Sequence, residues 1–213
     1  MFEWLNKGGP FMYVILGVSF VSLGLIIERV YVLWFKYRIN ASQFLSHILS
    51  FVDADNFTRA IEVCNLRPDH PLAMVLKAGL LKANRGDKEI QRSMEEAAAR
   101  VMPKLAKRTN YLSMLSNVST LLGLLGTIFG LIEAFSGIGA ADAAQKQEIL
   151  AKGISTAMGT TAFGLIVAIP TMVAFSVLVT RQNMLSETIE EGSITLFNRI
   201  TSRNAESRAR AAG

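Results

Sequence analysis

Three stretches, 10–35, 111–135 and 153–180, are dominated by apolar residues, and the segments around them mix apolar and polar positions with a helical rhythm. A helix needs roughly 20 residues to cross a hydrocarbon core about 30 Å thick, so each stretch predicts a membrane span. Pro10 suits the first position of the first span, where its missing N–H costs nothing. That span reaches the charged pair Glu28-Arg29 and carries on into a belt of Trp34, Lys36, Tyr37 and Arg38. Residues 1–9 predict an interfacial segment, with Phe2, Trp4 and Leu5 at headgroup level and Gly8-Gly9-Pro10 ending it.

From 36 to 110 the pattern becomes amphipathic. It predicts helices near 41–51, 55–65 and 72–84, with Pro68 and Pro71 in the loop before the last of these, and a long fourth that runs from Asp87 into the second span. Pro103, inside that helix, predicts a bend. A small and polar connection, 136–152, joins the second and third spans. The last helix is expected from about Ala143 to Ser202, because Leu185, Ile189, Ile194, Phe197 and Ile200 keep their spacing beyond the lipid, and Pro170 predicts a kink within it. The tail 181–213 is mostly helical, with 204–213 expected to fray. The fold expected is all-α: a polytopic membrane protein with three transmembrane helices and long helical cytoplasmic extensions.

Small and hydroxylated residues follow their own pattern inside the spans. Ser116, Thr120, Gly123, Thr127 and Gly130 recur every three or four residues, and Gly153, Ala157, Thr160, Gly164, Ala168 and Thr171 repeat the device in the third span. Such residues let helix backbones approach closely where lipid is as apolar as leucine, so the two stripes predict a packing seam. One threonine in such a seam ordinarily bonds its own backbone carbonyl a turn back. Thr127, Thr160 and Thr161, near mid-depth on neighbouring helices, also open a second reading, a hydrated path, because polar groups at that depth are costly.

The chain has 213 residues, 51% of them hydrophobic and 18% charged, with a mean hydropathy of +0.34. That balance excludes an ordinary soluble domain. The formal charge of +5 comes without a basic block interleaved with aromatics, which argues against nucleic acid. Lys and Arg number thirteen in 36–110 but two, Lys146 and Lys152, in 136–152, and five more follow Thr180. The positive-inside rule therefore places the N-terminus outside and both the large loop and the C-terminus in the cytoplasm. The start of the chain lacks the features of a removable signal peptide, so the first span is expected to be retained. The single Cys64 permits no internal disulfide and reads as a small buried residue. His47 and His70 are too isolated for a metal site. No His, Cys or Asp falls in a span, so an intramembrane enzyme lacks both a general base and a metal ligand.

Three segments resemble one family: Leu121-Leu-Gly-Leu-Leu-Gly-Thr-Ile-Phe-Gly130, Gly153-Ile-Ser-Thr-Ala-Met-Gly-Thr-Thr-Ala-Phe-Gly-Leu-Ile-Val-Ala-Ile-Pro170, and the exit Ile27-Glu-Arg29 of the first span. They look like the ExbB/TolQ/MotA family, nearer ExbB and TolQ, over about 10–180. The most specific parts are Leu-Gly-Thr-x-x-Gly, which includes Gly126, and Thr-Ala-x-Gly-Leu-x-x-Ala-Ile-Pro. The resemblance implies a pentameric ring around the single membrane helices of two copies of an ExbD/TolR-type partner that carries a membrane aspartate, in a bacterial inner membrane. It implies that proton flow drives the motion, and that Thr127 and Thr161 line the ion path beside that aspartate. One position departs from the pattern: a glutamate usual early in the third span is Thr156 here. Glu28 pairs with Arg29 at the end of the first span, and Glu133 near the end of the second is either a cation-gathering mouth or a wetted helix end.

A subunit of an ion-driven motor is thus the expected function. A passive membrane scaffold that recruits cytosolic partners is the alternative. Threonine hydroxyls also suit Na⁺, which leaves it open beside H⁺. Neither the residues nor the resemblance implies a cofactor.

Overall fold

The computed structural model describes residues 9–139 and 142–212, and of 143, 144 and 208–212 the backbone alone. The expected interfacial segment, with Phe2, Trp4 and Leu5, lies outside the described residues apart from Gly9. Every regular element among the described residues is a helix, and three helices are long and apolar enough to cross a membrane. Their flanks expose Phe20, Leu121, Phe135, Met158 and Ile166. So much apolar surface on all three belongs to a multi-pass membrane protein.

Helix α1, Pro10–Val30, passes directly into a π-helical turn, Tyr31–Lys36. The Tyr37 amide closes that turn on the Val32 carbonyl at 3.0 Å, a bond across five residues. Four helices follow: α2 Ala41–Asp53, α3 Phe57–Asn65, α4 Pro71–Leu80 and α5 Asp87–Ala106. Asn40 and Asn56 cap α2 and α3 by accepting from the amides of Gln43 and Arg59. Helix α6 covers Thr109–Ile138 and α7 covers Ala143–Ala212.

The chain divides into two units. One comprises Met1–Arg29 with Arg108–Leu178, and holds α6, the first part of α7 and nearly all of α1. The other comprises Val30–Lys107 with Val179–Gly213. In this second unit α4 is buried along nearly its whole length and forms the centre. Gly79 on α4 is crossed closely by Met94 of α5, and Gly192 on α7 by Leu72. Ile48, Val52, Ala60, Cys64, Leu196 and Ile200 are among the other buried residues of this unit. Ion pairs Arg199–Asp53 and Arg203–Asp55, both 2.6 Å, hold α7 to the α2–α3 end.

Several expected boundaries move, each for a local reason. The long helix expected from Asp87 into the second span is broken, because Lys107 leaves helical backbone at ψ 128° and Arg108 is left-handed at φ 64°. A left-handed arginine costs roughly 1–2 kcal/mol, and here its guanidinium Nη1 donates to both oxygens of Glu28 at 2.8 and 2.7 Å. Pro103, expected to bend this helix, sits exposed within α5, and the break comes later. Helix α3 starts at Phe57 rather than 55, since Asp55 is left-handed at φ 60° and Asn56 is the cap. Helix α4 takes Pro71 into its first turn and stops at Leu80, short of the expected 84. Helix α7 does not end near Ser202; it continues to Ala212, and the Asn204 side chain donates to the Ala83 carbonyl at 2.9 Å.

Candidate functional site

Helices α6 and α7 meet along a seam of small residues. A Cβ added to Gly126 would collide with the Thr160 side chain, one on Gly130 would lie 3.1 Å from Ala157 Cβ, and one on Gly153 would collide with Ala134. One on Gly164 would lie 2.7 Å from the Ser119 carbonyl oxygen and 3.0 Å from Gly123 Cα. Residue numbers rise on α6 as they fall on α7 along these contacts, so the helices are antiparallel. Two hydroxyls cross the seam: Ser116 donates to the Ala168 carbonyl at 2.8 Å, and Thr161 donates to the Gly123 carbonyl at 2.9 Å.

The buried face of α6 runs through Ser116, Ser119, Gly123, Gly126, Gly130 and Ala134. Thr120 and Thr127, expected within it, stand beside it. Thr120 is exposed and donates to the Ser116 carbonyl at 3.2 Å; Thr127 is half-buried and donates to the Leu124 carbonyl at 2.6 Å. Ser119, which takes the face position instead, is buried and its hydroxyl has no partner among the described residues. It lies three residues after Ser116, and a period of three rather than four would have selected it.

Helical geometry then sorts the four candidate threonines. Successive residues turn by about 100°, and on two antiparallel helices the residue after a contact position swings to the same side of the seam on both. Thr127 follows Gly126, and Thr161 follows Thr160, and Gly126 meets Thr160. Thr127 and Thr161 therefore sit almost level on one flank. Thr160 lies in the seam itself, fully buried, and donates to the Thr156 carbonyl at 2.9 Å. Thr156 precedes the contact residue Ala157 and falls on the opposite flank. That is the flank α1 covers: the Phe11 ring packs 5.1 Å from that of Phe129, and a Cβ on Gly9 would stand 4.0 Å from Thr156 Cγ2.

The structure thus brings Thr127 and Thr161 together on the flank away from α1, keeps Thr160 inside the contact and separates Thr156. Each of these hydroxyls for which a bond is described donates its proton to a backbone carbonyl. The oxygen lone pairs of Thr127 and Thr161 stay able to accept from water or to coordinate a cation.

Pro170 lies within α7, which stays helical through it. Beside it, Thr171 donates to the Val167 carbonyl at 2.8 Å, and the Ser116 bond to Ala168 serves the same turn. The charges sit at the ends. Glu133 is exposed towards the end of α6. Glu28 accepts from Arg29 at 3.1 Å as expected, and also from Arg108, which sequence reasoning missed because the two are 80 residues apart. Arg29 is buried, and its Nε and Nη1 have no partner among the described residues.

A model of the MotA/TolQ/ExbB proton channel family matches residues 67–191. The biopolymer transport protein ExbB-like 3 of Synechocystis sp. is 32% identical over 167 residues, which are 78% of this chain and 78% of that protein. The Tol-Pal system protein TolQ of Haemophilus influenzae is 32% identical over 122 residues, 57% of this chain and 48% of that protein. Among solved structures, that of C. jejuni MotAB covers 92% of this chain and 85% of its own at 18% identity, with a TM-score of 0.50. At that identity the likeness is one of fold.

Proposed function

Since the chain belongs to the MotA/TolQ/ExbB proton channel family, we propose that it is the ring-forming subunit of a proton-driven motor in a bacterial inner membrane. Several copies, five by the family's pattern, surround the single membrane helices of two copies of an ExbD/TolR-type partner. The partner brings an aspartate to the flank that carries Thr127 and Thr161. Those two hydroxyls and the water they hold complete the path by which protons reach and leave that carboxylate, and its change of charge drives movement of the partner against the ring.

One observation carries this reading: Thr127 and Thr161 are level on the same flank, the one that α1 leaves uncovered. A second supports it. In the described spans Glu28 and Glu133 are the carboxylates, and both lie towards helix ends. A titratable group at mid-depth therefore has to come from outside this chain. The thirteen Lys and Arg in 36–110 support a cytoplasmic second unit and an outward N-terminus.

The test is proton flux in liposomes that hold this protein and its single-span partner. Flux above that of empty vesicles is expected, falling to background in Thr127→Val and in Thr161→Val while the complex still assembles. Wild-type complexes that carry no flux would leave a scaffold. Normal flux in both variants would remove the threonines from the path.

A further inference from the structure

An open groove of about 420 Å³ lies in the second unit between α5 and α7. Met94, Ala98 and Met102 of α5 and Ile189, Ile194 and Phe197 of α7 form its apolar floor, and Ile194 is 54% exposed. Glu95 and Glu190 stand on its two lips, and among the described residues no Lys or Arg lines it. The sign is local. The chain carries +5, yet α7 between Arg181 and Arg199 holds Glu187, Glu190 and Glu191 and no basic residue.

These features define what fits. Both walls are helices whose backbones are already hydrogen-bonded, so an extended segment laid here would leave its own amides and carbonyls unpaired. A helix satisfies its backbone internally. From Gln91 to Met102 the floor spans about 16 Å, or three helical turns. That length takes apolar side chains at i, i+3 or i+4, and i+7, and the two methionines can adjust to their shapes. The acidic lips call for Lys or Arg on the flanks of the incoming helix. A second copy of this chain offers a poorer match. Among the described residues outside the spans, its exposed large apolar side chains, Leu66, Leu81, Met184 and Ile194, are isolated rather than a stripe.

We infer that this groove docks a basic amphipathic helix of another protein, about three turns long, on the side the proposed topology places in the cytoplasm. It rests on that reading only for the compartment. The apolar face fills the floor over Ile194 and Phe197, and the basic flanks pair with Glu95 and Glu190.

The probe is a fluorescent 14-residue amphipathic peptide of Leu and Lys, titrated into the full-length protein in phosphatidylcholine nanodiscs and followed by anisotropy. A counterpart with Glu in place of Lys serves as control. Saturable binding of the Lys peptide alone is expected, weaker at high salt and at least about tenfold weaker in Ile194→Asp and in Glu95→Lys/Glu190→Lys. Equal binding of both peptides, or no effect of the variants, overturns the proposal. An Ile194→Cys variant closes the remaining route. Burial pushes the thiol of Cys64 up to about 11 and keeps it unreactive, so a maleimide reports on position 194. Complete labelling is expected. Protection in the protein alone would mean that a second copy fills the groove, and would overturn the proposal as well. The groove lies outside the spans, so peptide binding and flux can fail independently.

Discussion

Thr161 and Thr127 differ in what their hydroxyls do, although the seam pattern treats them alike. The Thr161 hydroxyl bonds the Gly123 carbonyl on the other helix, whereas that of Thr127 bonds Leu124 on its own. A net intramolecular hydrogen bond is worth about 0.5–1.5 kcal/mol. Thr161→Val should therefore lower thermal stability in detergent by about that amount, and Thr127→Val should leave it nearly unchanged, as differential scanning fluorimetry would show. Loss of flux with stability kept, in Thr127→Val, would be the clean sign of a role in the path. Equal stability losses would mean that the cross-helix bond contributes little. The serines follow the same logic, since Ser116 bonds across the seam while Ser119 is buried without a partner among the described residues.

At the scale of elements, the α6–α7 contact depends on glycines that are not interchangeable. The Cβ of an alanine at 164 would press on backbone, the Ser119 carbonyl and Gly123, which cannot rotate aside. A Cβ at Gly159 would meet, beyond its own turn of helix, no atom of the described residues within 4 Å. Overpacking a close contact costs about 1–3 kcal/mol. Gly164→Ala should therefore destabilise the protein by an amount in that range, and Gly159→Ala should be neutral in the isolated subunit, both read as shifts of the unfolding midpoint. A neutral Gly164→Ala would mean the seam can separate freely. The breaks at Lys107 and Arg108 and at Asp55 show a second element-scale effect. Nothing in local propensity forces a non-glycine residue into left-handed backbone, and ion pairs to Glu28 and to Arg203 accompany it there.

Taken as a whole, the molecule carries two buried or paired groups outside the spans that respond to acid in different ranges. Paired with Arg199, the carboxyl of Asp53 is held below its usual value, so its contribution is intact above about pH 4 and is lost only as pH falls further. His70 is 5% exposed at the start of α4, with Tyr37 edge-on at 6.2 Å between ring centroids. Burial lowers its pKa, so the folded imidazole refuses a proton that the unfolded chain accepts. The sign follows: stability is unaffected well above pH 6.5 and falls as pH drops through about 6.5 towards the lowered folded value. His70→Phe, which keeps an aromatic ring beside Tyr37, should flatten the change of unfolding midpoint between pH 7 and 5. An unchanged slope would place the acid sensitivity elsewhere.

Composition and period alone determined the three spans, the helical character of the segment 36–110 and of the tail after 180, and the face-to-face use of small residues. A run of apolar residues long enough for a bilayer has few structural alternatives. The two motifs that hold Thr127 and Thr161 were legible through the family resemblance, since the residues within each are close in sequence. Tertiary structure decided the rest. Whether a seam runs through Thr120 or Ser119 turns on which of two adjacent helical positions meets the partner helix, and spacing of three or four fits both. Only the packing of Phe11 on Phe129 shows which flank α1 covers, and hence why Thr156 parts from Thr161. The break at Arg108 likewise depends on Glu28, far away along the chain, because left-handed backbone in an arginine is tolerated when a distant charge rewards it.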